Sequence, residues 1–246
     1  MIINSNPQPR FLPSSKIPLL PVPLRRSDPS SPYCYCASLS PILNDEGELT
    51  SLSLPPGVNF LATQVWPSSR SASFVIEKYC NPNWTVCELG CGPGLPALTA
   101  ASLGSRVIAT DVDETALQMV QWAAEEQGFV NGNRFATEFF DLTAEDPLPN
   151  ADLYVLSDVF ESAEIAGGTA WHVKQLLDAK NDRDAESGAS RLWIFAQSDR
   201  AQREVFLNSL REVKEFEHVE WTMNHKPDLD ARICLFDLNE MDVQYN

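Results

Sequence analysis

Positive charge is scarce in this chain: 18 Lys and Arg stand against 34 Asp and Glu, for a formal net charge of −16. So acidic a chain is a poor match for nucleic acid, whose phosphates need a basic surface. It suits basic or neutral ligands, with long-range steering as one use of the field and solubility as the other. Long apolar runs are also missing. None approaches the ~20 residues that cross a bilayer as a helix, and no membrane partner is expected. The six cysteines (Cys34, Cys36, Cys80, Cys87, Cys91 and Cys234) show neither CxxC pairs nor zinc-type spacing, so no metal site is expected. A disulfide framework does not suit a chain of this size, which points to a reducing compartment. Only three histidines are present, His172, His218 and His225, and their spacing suggests neither a metal site nor a catalytic triad. No internal repeat is visible. What remains is 246 residues with 43% hydrophobic content, enough for one α/β core and not for a second domain. A monomer is expected.

Acids are also missing from the head of the chain. Residues 1–44 hold Arg10, Lys16, Arg25 and Arg26 against Asp28, a sum of +3, which leaves −19 for the rest. This stretch is rich in Pro and Ser, and its most apolar part, residues 17–24, is interrupted by Pro18, Pro21 and Pro23. It cannot serve as the continuous apolar core of a secretory signal. Its composition predicts a disordered leader over 1–44, read as an organelle transit peptide. The Ser and Pro content favours a plastid over a mitochondrion. Cys34-Tyr-Cys-Ala-Ser38 is a candidate processing point, and a plain disordered tail is the alternative. Residues 45–246 form the predicted domain.

The most informative segment of that domain is Val86-Cys-Glu-Leu-Gly-Cys-Gly-Pro-Gly-Leu95. An apolar run carrying an acid leads into three alternate glycines and then helix-forming residues, which reads as strand, tight turn and helix. Gly90, Gly92 and Gly94 let the backbone bend and a ligand approach it closely. The spacing is GxGxG, not the GxGxxG that seats a pyrophosphate on a helix N-terminus. Glu88, two residues before the first glycine, would repel phosphate and attract a cation. A ligand with a charged amino group and no phosphate fits better. Downstream, a second β-rich run ends in Asp111, placed to accept ribose hydroxyls. A third ends in Asp141-Leu142, where a carboxylate can take an adenine amino group, and a fourth ends in Ser157-Asp158. These strand-end acids fall where open α/β sheets bind ligands.

The order of runs predicts helices over 67–79, 95–103, 113–127, 162–179 and 199–212, and strands over 85–89, 106–110, 134–140, 152–157 and 191–197. Alternation of this kind gives a Rossmann-like, doubly wound α/β fold with a mostly parallel sheet. Two last β-rich runs, 216–223 and 231–238, have no helix between them and read as an antiparallel hairpin. A charged loop is expected over 181–190 and a turn at Pro55-Pro-Gly57.

Residues 57–238 resemble a class I, seven-β-strand S-adenosylmethionine-dependent methyltransferase. Within that class the resemblance is to the methyltransferase-like protein lysine methyltransferases, including those of the electron-transfer-flavoprotein β-subunit. It rests on Val65-Trp66-Pro67, Glu88 to Gly94, Ala109-Thr-Asp111 and Ser157-Asp-Val-Phe-Glu161. One departure is the absence of a tyrosine common in the last motif, where Phe160-Glu161 stand instead. The resemblance implies S-adenosylmethionine as cofactor, a seven-stranded sheet and a lysine-bearing protein as partner. It adds Trp66, Cys91, Val112, Leu142 and Ser157 to the cofactor-contacting set of Glu88, the three glycines, Asp111 and Asp141. Asp158 and then Glu161 become the candidates to hold the acceptor amine, which must lose a proton before it attacks. A small-molecule N- or O-methyltransferase and a silent interaction module on the same fold are the alternatives.

Overall fold

The computed structural model describes residues 10–12, 17–38, 40–43, 49–53, 59–181, 190–212, 222–223 and 232–238. The elements are β1 (Arg10–Phe11), β2 (Pro18–Pro23), β3 (Tyr33–Ala37), β4 (Ser40–Leu43) and β5 (Leu49–Ser53), then α1 (Pro67–Tyr79). The alternating part follows: β6 (Thr85–Leu89), α2 (Leu95–Leu103), β7 (Arg106–Asp111), α3 (Glu114–Glu126), β8 (Phe135–Phe139) and β9 (Leu153–Ser157). It closes with α4 (Ala163–Asn181), β10 (Arg191–Gln197), α5 (Gln202–Arg211), β11 (Thr222–Met223) and β12 (Ile233–Asp237). The turn expected at 55–57, most of the loop expected over 181–190 and most of the run 216–223 lie outside the described residues.

The main sheet has seven strands in the order β11-β12-β10-β9-β6-β7-β8. The five strands from β10 to β8 are parallel, and β12 runs antiparallel to both β10 and β11. This is the doubly wound sheet with an antiparallel hairpin expected above. The central strands read as nearly continuous apolar runs because both faces are covered. Val86, Val107, Val155 and Trp193 pack on the side of α1, α2 and α3. Cys87, Leu89, Tyr154 and Ile194 pack on the side of α4 and α5. The order reverses between β6 and β9, so a crevice opens beyond their carboxyl ends, where such sheets bind ligands.

The head of the chain departs from expectation. β1, β2 and β3 form an antiparallel sheet, and Leu12, Leu19, Leu24, Tyr33, Cys34, Tyr35 and Ala37 are buried in the same core as α1 to α3. The disorder expected over 1–44 is therefore corrected for its described residues; Cys34 to Ala37 of the candidate processing point lie on β3. The prolines misled because their ladder positions are not visible in composition. Ser38 N–H donates to Pro18 O and Leu24 N–H to Pro32 O, both at 2.9 Å. Alternation then puts Pro21 and Pro23 at positions that do not bond to β3, where a missing N–H costs nothing. Polar contacts fasten the sheet to α3: Tyr33 and Tyr35 hydroxyls donate to Glu126 at 3.0 and 2.5 Å. Arg10 Nε pairs with the same carboxylate at 2.6 Å, and the Gln127 amide brackets the Tyr33 backbone at 3.0 and 2.7 Å.

Candidate functional site

The glycine turn forms as its spacing predicts, but its glycines divide the work. Gly92 has φ +48°, and a Cβ there would meet only Ala62 O, at 3.6 Å, so the space beside it stays open to a ligand. Gly94 has φ +73°, and a Cβ there would stand 2.2 Å from Val120 Cγ2. Its missing side chain lets the start of α2 press on α3, a packing role, and it is not among the residues that line the crevice. Gly94→Ala should lower stability by about 2–4 kcal/mol, from the left-handed backbone and the overpacking together. A urea titration reads this directly, and a change below about 0.5 kcal/mol, the size of an ordinary surface effect, would contradict it.

Glu88 is a second correction. It is fully buried and does not line the crevice. Its Oε2 accepts the Ala97 N–H at 2.8 Å, capping the first turn of α2 from the preceding strand, and Oε1 has no partner among the described residues. Strand alternation explains the placement, since Glu88 shares a face with Val86 and looks toward α2. Burial pushes its pKa well above the ordinary carboxyl value, with the Asp111 charge adding to the effect and the Ala97 N–H opposing it. An acid whose folded pKa is raised keeps its proton when the unfolded chain has lost it. Stability therefore falls as pH rises from about 4.3 toward the folded pKa. Glu88→Gln should flatten that part of the profile, with the variant gaining on the wild type as pH rises in thermal melts. Parallel profiles would contradict the assignment.

The crevice beyond β6, β7 and β9 is a cleft of about 370 Å³, within the usual range for small-ligand sites. One wall is Gly90, Cys91, Gly92 and Pro93, and the opposite end is Phe140, Asp141, Leu142 and Thr143. Trp66, Val112, Ser157, Asp158 and Glu161 line it as well, so most of the expected residues are brought together. Asp111 sits on the cleft at the end of β7, 8% exposed. Its Oδ2 accepts Gly92 N–H at 2.8 Å and its Oδ1 accepts Asp113 N–H at 2.9 Å. Each oxygen keeps capacity for a hydroxyl. Burial raises the pKa of Asp111, and these backbone N–H groups oppose the rise. The helix cap nearby comes from Asp113, whose Oδ1 accepts the Thr115 and Ala116 N–H groups, which leaves Asp111 for the cleft.

At the far end, Asp141 Oδ1 accepts from the Thr143 N–H and hydroxyl, both at 2.8 Å. These bonds hold its carboxyl below the usual range, so it stays charged, with Oδ2 left to take an amino group. Phe140, Val112 and Leu142 supply apolar surface beside it. Cys91 adds to the wall, with burial pushing its thiol pKa well up.

Sequence reasoning missed several wall residues. Ser69, on the first turn of α1, shares a hydrogen bond with Ser157 (3.0 Å between Oγ atoms). Asn59, Leu61 and Ala62 also line the cleft, around the short 3₁₀ turn Leu61–Thr63. The signal available was the Trp66-Pro67 helix start, which places the preceding turn and the first helical turn at the same sheet edge.

The acceptor side holds the largest surprise. Asp158 has φ +60°, and its side chain is fully shielded from solvent. Gln197 Nε2 donates to Oδ2 at 2.6 Å and Arg200 Nε to Oδ1 at 3.2 Å. With its side chain shut off from solvent and held by Gln197 and Arg200, Asp158 shapes the wall of the cleft. Glu161 is exposed to the cleft and does offer one. The neighbouring protein pushes its pKa up by desolvation, the Asp111 charge adds to this, and Arg200 opposes it.

Residues 87–176 match the family model described as a methyltransferase domain. A ribosomal protein L11 methyltransferase of Thermotoga maritima is 39% identical over 95 residues, 38% of this chain and 34% of its own length. One from Cupriavidus taiwanensis is 27% identical over 150 residues, 59% of this chain and 48% of its own length. The chain thus spans about a third of the length of the first curated relative it matches. The solved structure of a ribosomal protein L11 methylase from Lactobacillus delbrueckii subsp. bulgaricus superposes with a TM-score of 0.47. It is 22% identical, covering 75% of this chain and 82% of that one. The doubly wound sheet order is consistent with a Rossmann-like methyltransferase fold, and the methyltransferase-domain match indicates S-adenosylmethionine as the cofactor. Among the described residues lining the cleft there is no Lys or Arg to meet a phosphate. Asp111 and Asp141 both line the cleft, together with the glycine wall of Gly90 to Pro93.

Proposed function

We propose that this chain, with the fold and cofactor cleft of a class I S-adenosylmethionine-dependent methyltransferase, transfers a methyl group to an amine on a protein, a lysine side chain in the sharpest form of the reading. The observation that carries it is Glu161, a cleft-facing carboxylate on the acceptor side with its charge uncommitted to a close ion pair among the described residues. The relatives named above act on a ribosomal protein, which favours a protein over a small molecule as acceptor.

The bound cofactor supplies an activated methyl group on a sulfonium, already a good donor. The chain's own task is approach, orientation and exclusion of water. Asp111 and Asp141 orient the adenosine. The Gly90 to Pro93 wall and Ser69 border the space left for the amino-acid part. Glu161 accepts a hydrogen bond from the incoming amine and favours its alignment, while the proton leaves to water. No metal and no covalent enzyme intermediate is required.

The test uses the full chain with tritium-labelled S-adenosylmethionine and cell extract. Label on a protein, recovered as methyl-lysine after hydrolysis and reduced at least tenfold in Glu161→Gln, is the expected result. The tenfold corresponds to one charge-assisted hydrogen bond of about 1.5 kcal/mol. Label confined to small molecules would move the acceptor to that class, and label on another amino acid would overturn lysine.

A further inference from the structure

Arg200 has no place in the reading above, yet it touches two walls of the cleft at once. It lies between β10 and α5, with its N–H donating to Gln197 O at 3.1 Å in a tight turn. Its Nε reaches Asp158 at the end of β9, and its guanidinium lies 5.5 Å from the centre of the Trp66 ring, just ahead of α1. Trp66 is also held by its Nε1, which donates to Leu61 O at 3.1 Å, and by Phe60, which packs edge-on at 5.8 Å. Three segments far apart in sequence therefore converge on one planar cation at the sheet's carboxyl edge.

We propose that Arg200 is a positioning residue that bridges Asp158 and Trp66 and so holds the acceptor-side wall of the cofactor cleft in one arrangement. Three observations support it. Asp158 stands in the left-handed region, uncommon for a residue other than glycine, and such strain persists only where surroundings over-determine it. The surroundings here are Gln197 and Arg200, together with the Asp158 N–H bonded to Phe195 O at 2.8 Å. Secondly, a buried carboxylate without its cation is strongly disfavoured, so Asp158 keeps Arg200 turned inward. Thirdly, a flat guanidinium can pair in-plane with a carboxylate while its face meets an aromatic ring, which an ammonium cannot do. The same bridge keeps the Asp158 carboxylate occupied and leaves the incoming amine to Glu161.

This inference rests on the methyltransferase reading for the ligand, S-adenosylhomocysteine, and its test needs no acceptor. Calorimetric titration is made on wild type, Arg200→Ala, Arg200→Lys, Asp158→Asn and the double variant Arg200→Ala/Asp158→Asn. Asn tolerates the left-handed backbone, and in the double variant no orphaned charge remains to threaten folding. Arg200→Ala and Asp158→Asn should each weaken binding about fivefold, and the double variant by no more than either alone, since all three break one bridge. Arg200→Lys should recover the melting temperature but not the affinity, a split that a purely structural ion pair would not produce. Binding by Arg200→Ala within twofold of wild type, additive losses in the double variant, or full rescue of affinity by lysine would each overturn the proposal. Absence of binding by the folded wild type would instead overturn the cofactor reading, and the proposal with it.

Discussion

Asp111→Ala is expected to weaken S-adenosylhomocysteine binding by about 100-fold, the loss of two hydrogen bonds to a charged acceptor at roughly 1.5 kcal/mol each. The substitution also removes the partner of the Gly92 N–H, so the glycine wall loses an anchor as the ribose loses its acceptor. Asp141→Ala should cost less, about tenfold, because one hydrogen bond to an amino group is lost at an exposed rim. Gly92→Val closes the space that the glycine leaves open and should reduce binding at least as far as Asp111→Ala does. Calorimetry separates these outcomes. Asp111→Ala within threefold of wild type would remove the ribose assignment.

Deleting residues 1–38 is expected to leave the remainder unable to fold cooperatively. Leu12, Leu19, Leu24, Tyr33 and Tyr35 are buried, and each large apolar side chain contributes about 1.5–3 kcal/mol when removed from water. Together they approach the roughly 5–15 kcal/mol by which a whole domain is stable. The deletion also exposes the α3 face they cover and strips Glu126 of Tyr33, Tyr35 and Arg10. A cooperative melt and intact cofactor binding after removal of residues 1–38 would contradict this account of the head.

The contrast between these two regions shows what a sequence discloses. The glycine turn and Asp111 are legible because their chemistry is local: a strand, a turn and the next strand's end fall within a short stretch. The turn at Asp141 is legible for the same reason, its carboxylate being held by Thr143 two residues on. Glu88 was misassigned because a strand-end acid can face either the ligand or the helix behind it. Its shared face with Val86 was the available clue. Asp158 was not legible at all, since its partner Arg200 lies 42 residues away and nothing in the intervening chain marks the pairing. Composition hid the N-terminal sheet: three prolines in Pro18–Pro23 look like a disordered run until the register shows two of them facing away from β3. Ser69 stayed invisible because a helix-start serine has many uses, and only the fold sets it against Ser157.

The central claim is that the cleft beyond β6, β7 and β9 holds S-adenosylmethionine through carboxylates and an open glycine wall, without a phosphate site. Calorimetric titration of the full chain with S-adenosylhomocysteine, repeated in excess ATP and in excess NAD, tests it most directly. Saturable one-to-one binding is expected, displaced by neither nucleotide and weakened about 100-fold by Asp111→Ala, as two charged hydrogen bonds require. Binding displaced by ATP or NAD, or no binding by folded protein, would contradict it.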